Sequence, residues 1–178
     1  GWIFLAAVAA GASVWCTHFI AMLAYRVAAP VTFDPLLTML SLLMVIVGSA
    51  LAFRIALRPS RANLVLAGLT LGGAISMMHY TGMIAYRVDG FVTWQPAYVI
   101  ASLVAAGVFG IAALHFSTRG RRMVALAMLV MAVVGLHFTG MTAISVEPFI
   151  TGAPIADAAA VAAMAVAVAG VALLIVGT

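Results

Sequence analysis

Charge is what this sequence has least of. Only 7% of its 178 residues are charged, lysine is absent, and eight arginines stand against four acids for a formal charge of +4. Soluble domains carry about 25% charged residues, so a water-exposed globule is excluded. With 67% hydrophobic residues and a mean hydropathy of +1.29, the chain reads as one for which the bilayer is the solvent. Cysteine is nearly missing as well: Cys16 stands alone, which rules out an internal disulfide and a zinc-finger framework. Apart from Asp157 in the first turn of the last one, no acid lies inside a long apolar run, which argues against magnesium, calcium or a carboxylate-bridged iron centre. No activated nucleophile, carboxylate pair or phosphate-cradling loop is visible, so an enzyme is not expected. Gly1 opens directly into an apolar run with no charged leader, which reads as a piece of a longer protein and not as a cleaved signal peptide.

What is present are six apolar runs, at 2–25, 35–57, 63–86, 95–116, 122–145 and 154–176. Each reaches the about 20 residues needed to cross about 30 Å of hydrocarbon. They are continuously apolar and lack the alternation of a barrel strand, so the expected fold class is all-α, a polytopic membrane protein of six transmembrane helices. Arginines gather in two loops without any acid: Arg54, Arg58 and Arg61 after the second run, and Arg119, Arg121 and Arg122 after the fourth. The opposite loops hold Arg26 and Arg87 with all four acids, Asp34, Asp89, Glu147 and Asp157. The positive-inside rule makes the first pair of loops cytoplasmic and puts both ends of the chain on that side. Tyr25, Tyr86 and Trp94 then fall at the outer boundary, where an aromatic belt is expected.

A repeat runs through these spans. His18-Phe19-Ile20-Ala21-Met22 recurs as His79-Tyr80-Thr81-Gly82-Met83 and as His137-Phe138-Thr139-Gly140-Met141. The similarity continues through Tyr25-Arg26-Val27 and Tyr86-Arg87-Val88 into outer loops ending at Pro35, Pro96 and Pro154. Each unit is therefore a motif helix, an outer loop and a return helix, with units at roughly 2–57, 63–116 and 122–177, and the three hairpins are expected about a pseudo-threefold axis. Proline suits the first turn of a return helix, and Asp34 and Gln95 are the candidate caps before two of them.

Steps of four and seven return to one face of a helix, so His18, Met22 and Tyr25 form a stripe, as do His79, Met83 and Tyr86. His137 and Met141 repeat it, with Ile144 in the place of the tyrosine. Each histidine lies about 10 Å inside the outer end of its helix, within hydrocarbon. Polar rings at that depth need partners in the bundle interior. Imidazole and thioether ligate without a charged form, thioether favours soft metal, above all Cu(I), and imidazole tolerates Cu(II), so the reading is a buried His/Met metal site on His18, Met22, His79, Met83, His137 and Met141. Zinc would favour thiolate or carboxylate. Ala21, Gly82 and Gly140 would let a neighbouring helix or a diatomic ligand come close, and Thr81 and Thr139 would support the ligands by hydrogen bonds. Cys16, Met77 and Met78 precede the histidines by one or two positions and point away from them. Met39, Met44, Met123, Met128, Met131 and Met164 read as packing, and His115 as an interfacial residue.

Met78-His79-Tyr80-Thr81 spells the signature of the MHYT sensor domain, and the three-copy layout over essentially the whole chain resembles that family. Thr17 and Leu136 replace the leading methionine in the other copies, and Ile20 replaces the threonine. The resemblance implies a single sensor domain over 1–178, with the first of seven usual spans absent, in the bacterial inner membrane. It implies copper as cofactor on the periplasmic side, a diatomic gas (oxygen, carbon monoxide or nitric oxide) as ligand, and a cytoplasmic output domain in the same chain, commonly of cyclic-di-GMP signalling or a kinase. Membrane lipid and a second copy of the chain are the other partners open to it; nucleic acid is not among them. Copper handling or transport, and haem held by His and Met, are the alternatives.

Overall fold

The computed structural model describes residues 1–25, 31–58, 60–149 and 158–176. Arg26, Val27, Pro154 and Asp157, singled out above, lie outside the described residues. Six helices account for nearly all of the rest: α1 Trp2–Ala24, α2 Pro35–Ala56, α3 Arg61–Ala85, α4 Pro96–Thr118, α5 Arg122–Thr142 and α6 Ala158–Val176. The first five are long and apolar enough to cross a membrane. α6 has 19 residues, about 28 Å of helix against a hydrocarbon core of about 30 Å. The fold is an all-α polytopic membrane protein.

Local sequence sets the helix starts. Pro35 and Pro96 occupy first turns, where a missing N–H costs nothing. Asp34 caps α2 by accepting from Leu37 N–H at 3.1 Å, and Ser60 caps α3 by accepting from Asn63 N–H at 3.1 Å. Gln95 stands at the cap of α4 but makes no side-chain cap bond.

α1, α2, α3, α4 and α5 pack in sequence, α6 packs on α1, and the three motif helices α1, α3 and α5 also meet one another in the middle. Large apolar side chains such as Leu43, Val47, Leu51, Val104 and Leu126 face outward, as in a protein solvated by lipid. Small residues let the backbones close up, since apolar burial gives no drive between helices in lipid. A Cβ on Gly68 would lie 2.3 Å from the Ile111 Cα, and one on Gly110 would lie 2.6 Å from the Gly68 carbonyl, so α3 and α4 touch main chain to main chain. Buried polar bonds tie neighbouring helices: Trp15 Nε1–H donates to Ser41 Oγ at 3.1 Å, and the Tyr80 and Ser102 hydroxyls meet at 2.6 Å.

The loops between α1 and α2, α3 and α4, and α5 and α6 hold four short strands that composition did not reveal: β1 Val31–Phe33, β2 Tyr86–Val88, β3 Gly90–Trp94 and β4 Ile144–Pro148. β1 pairs antiparallel with β2 and β3 with β4, so each ladder joins successive hairpins. The same backbone tie accompanies both: Asp34 N–H donates to Ala85 O and Gln95 N–H to Ala143 O, each at 2.8 Å. Three to five extended residues between two long helices carry no periodicity of their own, and their partners lie 50 or more residues away in sequence.

One ion pair crosses the first ladder, from Arg87 Nη2 to Asp34 Oδ2 at 2.9 Å. The Leu37 N–H first, and then the Arg87 side chain, hold the Asp34 carboxyl below its usual range. A carboxyl with a lowered folded pKa contributes stability above its unfolded pKa of about 3.9 and loses that contribution as pH falls through the folded value. Asp34→Ala should therefore lower Tm by a few degrees at pH 7, and the gap to wild type should narrow below about pH 4. Melting in detergent followed by circular dichroism would check it; a gap that does not narrow at all as pH falls below about 4 would remove the carboxylate from the account.

Candidate metal centre

Helix periodicity brings the three motif histidines to the common centre of α1, α3 and α5. His18 and His79 are each 1% exposed and His137 is 6% exposed. His18 Nδ1 lies 3.2 Å from His137 Nδ1 and 3.2 Å from His79 Nδ1, and the ligating nitrogens of all three fall within 4.8 Å of one another. The rings stand edge to face, with centroids 4.9, 5.2 and 5.4 Å apart.

This arrangement is hard to satisfy with protons alone. An imidazole nitrogen either donates one N–H or offers one in-plane lone pair, so His18 Nδ1 has no good partner for both short approaches at once. The far nitrogens, His18 Nε2 and His79 Nε2, are buried without a hydrogen-bond partner. A cation held by the three imidazoles would resolve the centre. Nitrogens bound to one metal at about 2.0–2.1 Å lie about 3.3–3.6 Å apart, close to the 3.2 Å found for His18. The donor set fits a metal, and among the described residues no acid or thiol belongs to the cluster. A haem fits poorly, because axial ligands hold a macrocycle between them and imidazoles this close leave no such space.

The glycine three residues after the histidine in the second and third motifs has a more specific task than helix approach in general. A Cβ on Gly82 of α3 would lie 2.6 Å from His18 Nε2, and one on Gly140 of α5 would lie 2.5 Å from His79 Nε2. His18 and His79 thus lay their outer edges on Gly82 and Gly140, the glycines of the next motif helix in each case. The equivalent position on α1 is Ala21.

Met22 and Met83 are buried and Met141 half-buried, one turn outward from their histidines on the same helices. Met83 also reaches a cavity of about 240 Å³ above the centre, shared with Tyr25, Tyr86, Val92, Trp94 and Ile144. Tyr86 is 8% exposed and so packs inward, not as a belt residue: its ring meets Phe33 at 5.4 Å and Tyr25 at 6.2 Å. Burial, and then the neighbouring Tyr25, push its hydroxyl up to about 12. Thr81 does not reach an imidazole; its hydroxyl donates to Met44 Sδ at 3.5 Å, across to α2. Cys16 is directed at Val168 O of α6 at 3.7 Å. Met77 is exposed and Met78 buried in the core, and His115 lies far from the centre, near Arg119.

One set of residues escaped the sequence reading. Phe19, Tyr80 and Phe138 directly follow the histidines and set their rings edge to face against them at 4.8, 4.9 and 5.3 Å. An aromatic ring at the same motif position in all three copies was the signal.

Residues 11–69 and 72–130 each match the family described as MHYT, bacterial signalling protein N terminal repeat. The chain is 37% identical over 152 residues to a protein of Caulobacter vibrioides described as an uncharacterized signaling protein, covering 83% of this chain and 19% of that one. It is 36% identical over 153 residues to the bifunctional diguanylate cyclase/cyclic di-GMP phosphodiesterase MucR of Pseudomonas aeruginosa, covering 80% and 22%. It is 35% identical over 156 residues to the cyclic di-GMP phosphodiesterase NbdA of the same organism, covering 80% and 20%. The chain thus spans about a fifth of the length of these relatives. No solved structure matches it.

Proposed function

Because the chain belongs to the MHYT family of bacterial signalling proteins, we propose that it is a sensory input unit of the bacterial inner membrane that holds copper on His18, His79 and His137, with Met22, Met83 and Met141 in support. The observation that carries this reading is the approach of three buried Nδ1 atoms, two pairs of them at 3.2 Å, in the core of a membrane bundle. Copper is favoured over zinc by the thioethers beside the imidazoles and by the lack of thiolate or carboxylate. Bound copper would supply a one-electron couple and a place for oxygen, carbon monoxide or nitric oxide.

The chain's own residues hold the imidazoles in place, keep water from them and transmit their displacement. Gly82 and Gly140 leave room for the outer ring edges, while Phe19 and Tyr80 wall the rings in. A sensor needs two helix arrangements with different affinities for its signal. α1, α3 and α5 are the helices whose spacing the centre controls. The positive-inside rule sets the histidine end outward and the arginine end toward the cytoplasm. There an output domain of the same protein would read the change, of cyclic-di-GMP chemistry by analogy with the named relatives. The chain supplies the MHYT repeats of such a protein.

The test is elemental analysis with an absorption spectrum on detergent-purified protein, prepared without a metal-affinity column, beside a variant with all three histidines changed to alanine. The expected result is stoichiometric copper that disappears in the variant, with no Soret band. Copper retained by the variant, or a wild type that takes none from copper-supplemented medium, would overturn the reading. A Soret band would move the site to haem.

A further inference from the structure

At the opposite end of the bundle from the histidines, α3 and α4 close on each other at Gly68 and Gly110, and a cavity of about 630 Å³ opens between their arginine-bearing ends. Arg58, Arg61 and Arg119 line it with Ser60, Thr118 and His115, and no acid is among the lining residues. The described acids Asp34, Asp89 and Glu147 all sit in the outer loops, so three guanidinium groups share one cavity with no ion pair among the described residues. Ser60 caps α3, which directs the first free N–H groups of that helix toward the same end.

The rest of the wall is apolar: Ala56, Leu64, Val65 and Ile111. One turn further along α3, Leu69 is exposed and lies across Gly107 of α4, beside the exposed Val108. The cavity therefore leads from a cationic, hydroxyl-bearing chamber at the end of the span onto an apolar furrow on the outer face of the same two helices. That sequence of surfaces is the sequence within a phospholipid, from phosphate to acyl chain.

We propose that this cavity is a binding site for a phosphate diester, supplied as the headgroup of an anionic phospholipid whose acyl chain lies along the α3–α4 furrow. Arginine suits the role because its planar fork pairs with phosphate oxygens through two hydrogen bonds at once. Basic pockets between spans are a recurrent solution for anionic headgroups. A free phosphate shares the headgroup's chemistry but leaves the furrow unused.

The test titrates the detergent-solubilised chain with short-chain phosphatidylglycerol, short-chain phosphatidylcholine and inorganic phosphate. Arg61→Gln with Arg119→Gln removes two cavity charges, and Arg121→Gln with Arg122→Gln removes the same charge outside the cavity. Saturable binding of phosphatidylglycerol is expected, with phosphatidylcholine and phosphate far weaker. At about fivefold per arginine, the cavity pair should weaken it about 30-fold, and the outside pair should change it less than about threefold. All four arginines are exposed, so unchanged gel filtration and circular dichroism are expected for both variants. Equal loss from both pairs would reduce the effect to diffuse charge and overturn the site. Equal binding of phosphatidylcholine, or binding of inorganic phosphate as tight as that of phosphatidylglycerol, would overturn the lipid assignment.

Discussion

Alanine at His18 alone should empty the proposed copper centre as thoroughly as alanine at all three histidines. His18 is the ring whose Nδ1 approaches both of the others at 3.2 Å, so its loss removes one ligand and the geometry that brings the other two together. Groups that only orient metal ligands already cost 10- to 100-fold in affinity when changed, and loss of a ligand should exceed about 100-fold. Competition with graded concentrations of a Cu(I) chelator would measure it. His79→Ala and His137→Ala should follow closely. Cys16→Ser should keep its copper, because the thiol is directed at the Val168 carbonyl on α6. Met22→Leu and Met83→Leu preserve packing volume and should weaken Cu(I) while leaving zinc affinity nearly unchanged, since only the soft metal gains from thioether. If His18→Ala keeps wild-type affinity while remaining folded, the three rings do not share one ion.

The second large effect concerns the glycines on which the rings rest. Gly82→Ala and Gly140→Ala should each abolish stoichiometric copper, because the added methyl would lie 2.6 Å from His18 Nε2 or 2.5 Å from His79 Nε2. The ring has no free space to retreat into, being walled by Phe19 or Tyr80 and buried on all sides. Gly73→Ala, on the exposed side of the same helix with nothing within 4 Å of the new methyl, should keep full copper and melt no lower than wild type, alanine being the better helix former by about 1 kcal/mol. Gly72→Ala separates packing from ligation: its methyl would meet the Ala106 carbonyl at 2.5 Å, so it should lower Tm by loosening α3 from α4. Copper per folded molecule should hardly change. Copper content in Gly82→Ala equal to that in Gly73→Ala would show that the rings do not depend on that contact.

Much of this was written plainly in the chain. Hydrophobic length placed the helices to within a few residues, with α1, α3 and α5 ending at Ala24, Ala85 and Thr142, near the expected 25, 86 and 145. A four-residue step put each histidine and methionine on one face, and the outcome is three rings at one centre. Two things were not legible for physical reasons. The ladders pair Thr32 with Arg87 and Thr93 with Ser145, and such register depends on how the hairpins are arranged in space, which no local pattern encodes. Gly82 and Gly140 announced a close approach, but only the packing shows that the approaching group is an imidazole edge from the preceding motif helix. Tyr86 was misjudged because an aromatic residue at the end of a span looks the same whether it turns toward headgroups or inward onto Phe33.

The two ladders and their paired backbone ties give the molecule the mechanics of a tripod bound near its apex. At the arginine end, α2 leads to α3 and α4 to α5 within a few residues, while Gly68 and Gly110 hold α3 against α4. α1, with 23 residues, is about 35 Å long, and a helix of that length pivoting by about 5° at the bound end carries its other end through about 3 Å. A rearrangement the size of one imidazole shift thus becomes, at the feet, a displacement as large as the step between neighbouring side chains.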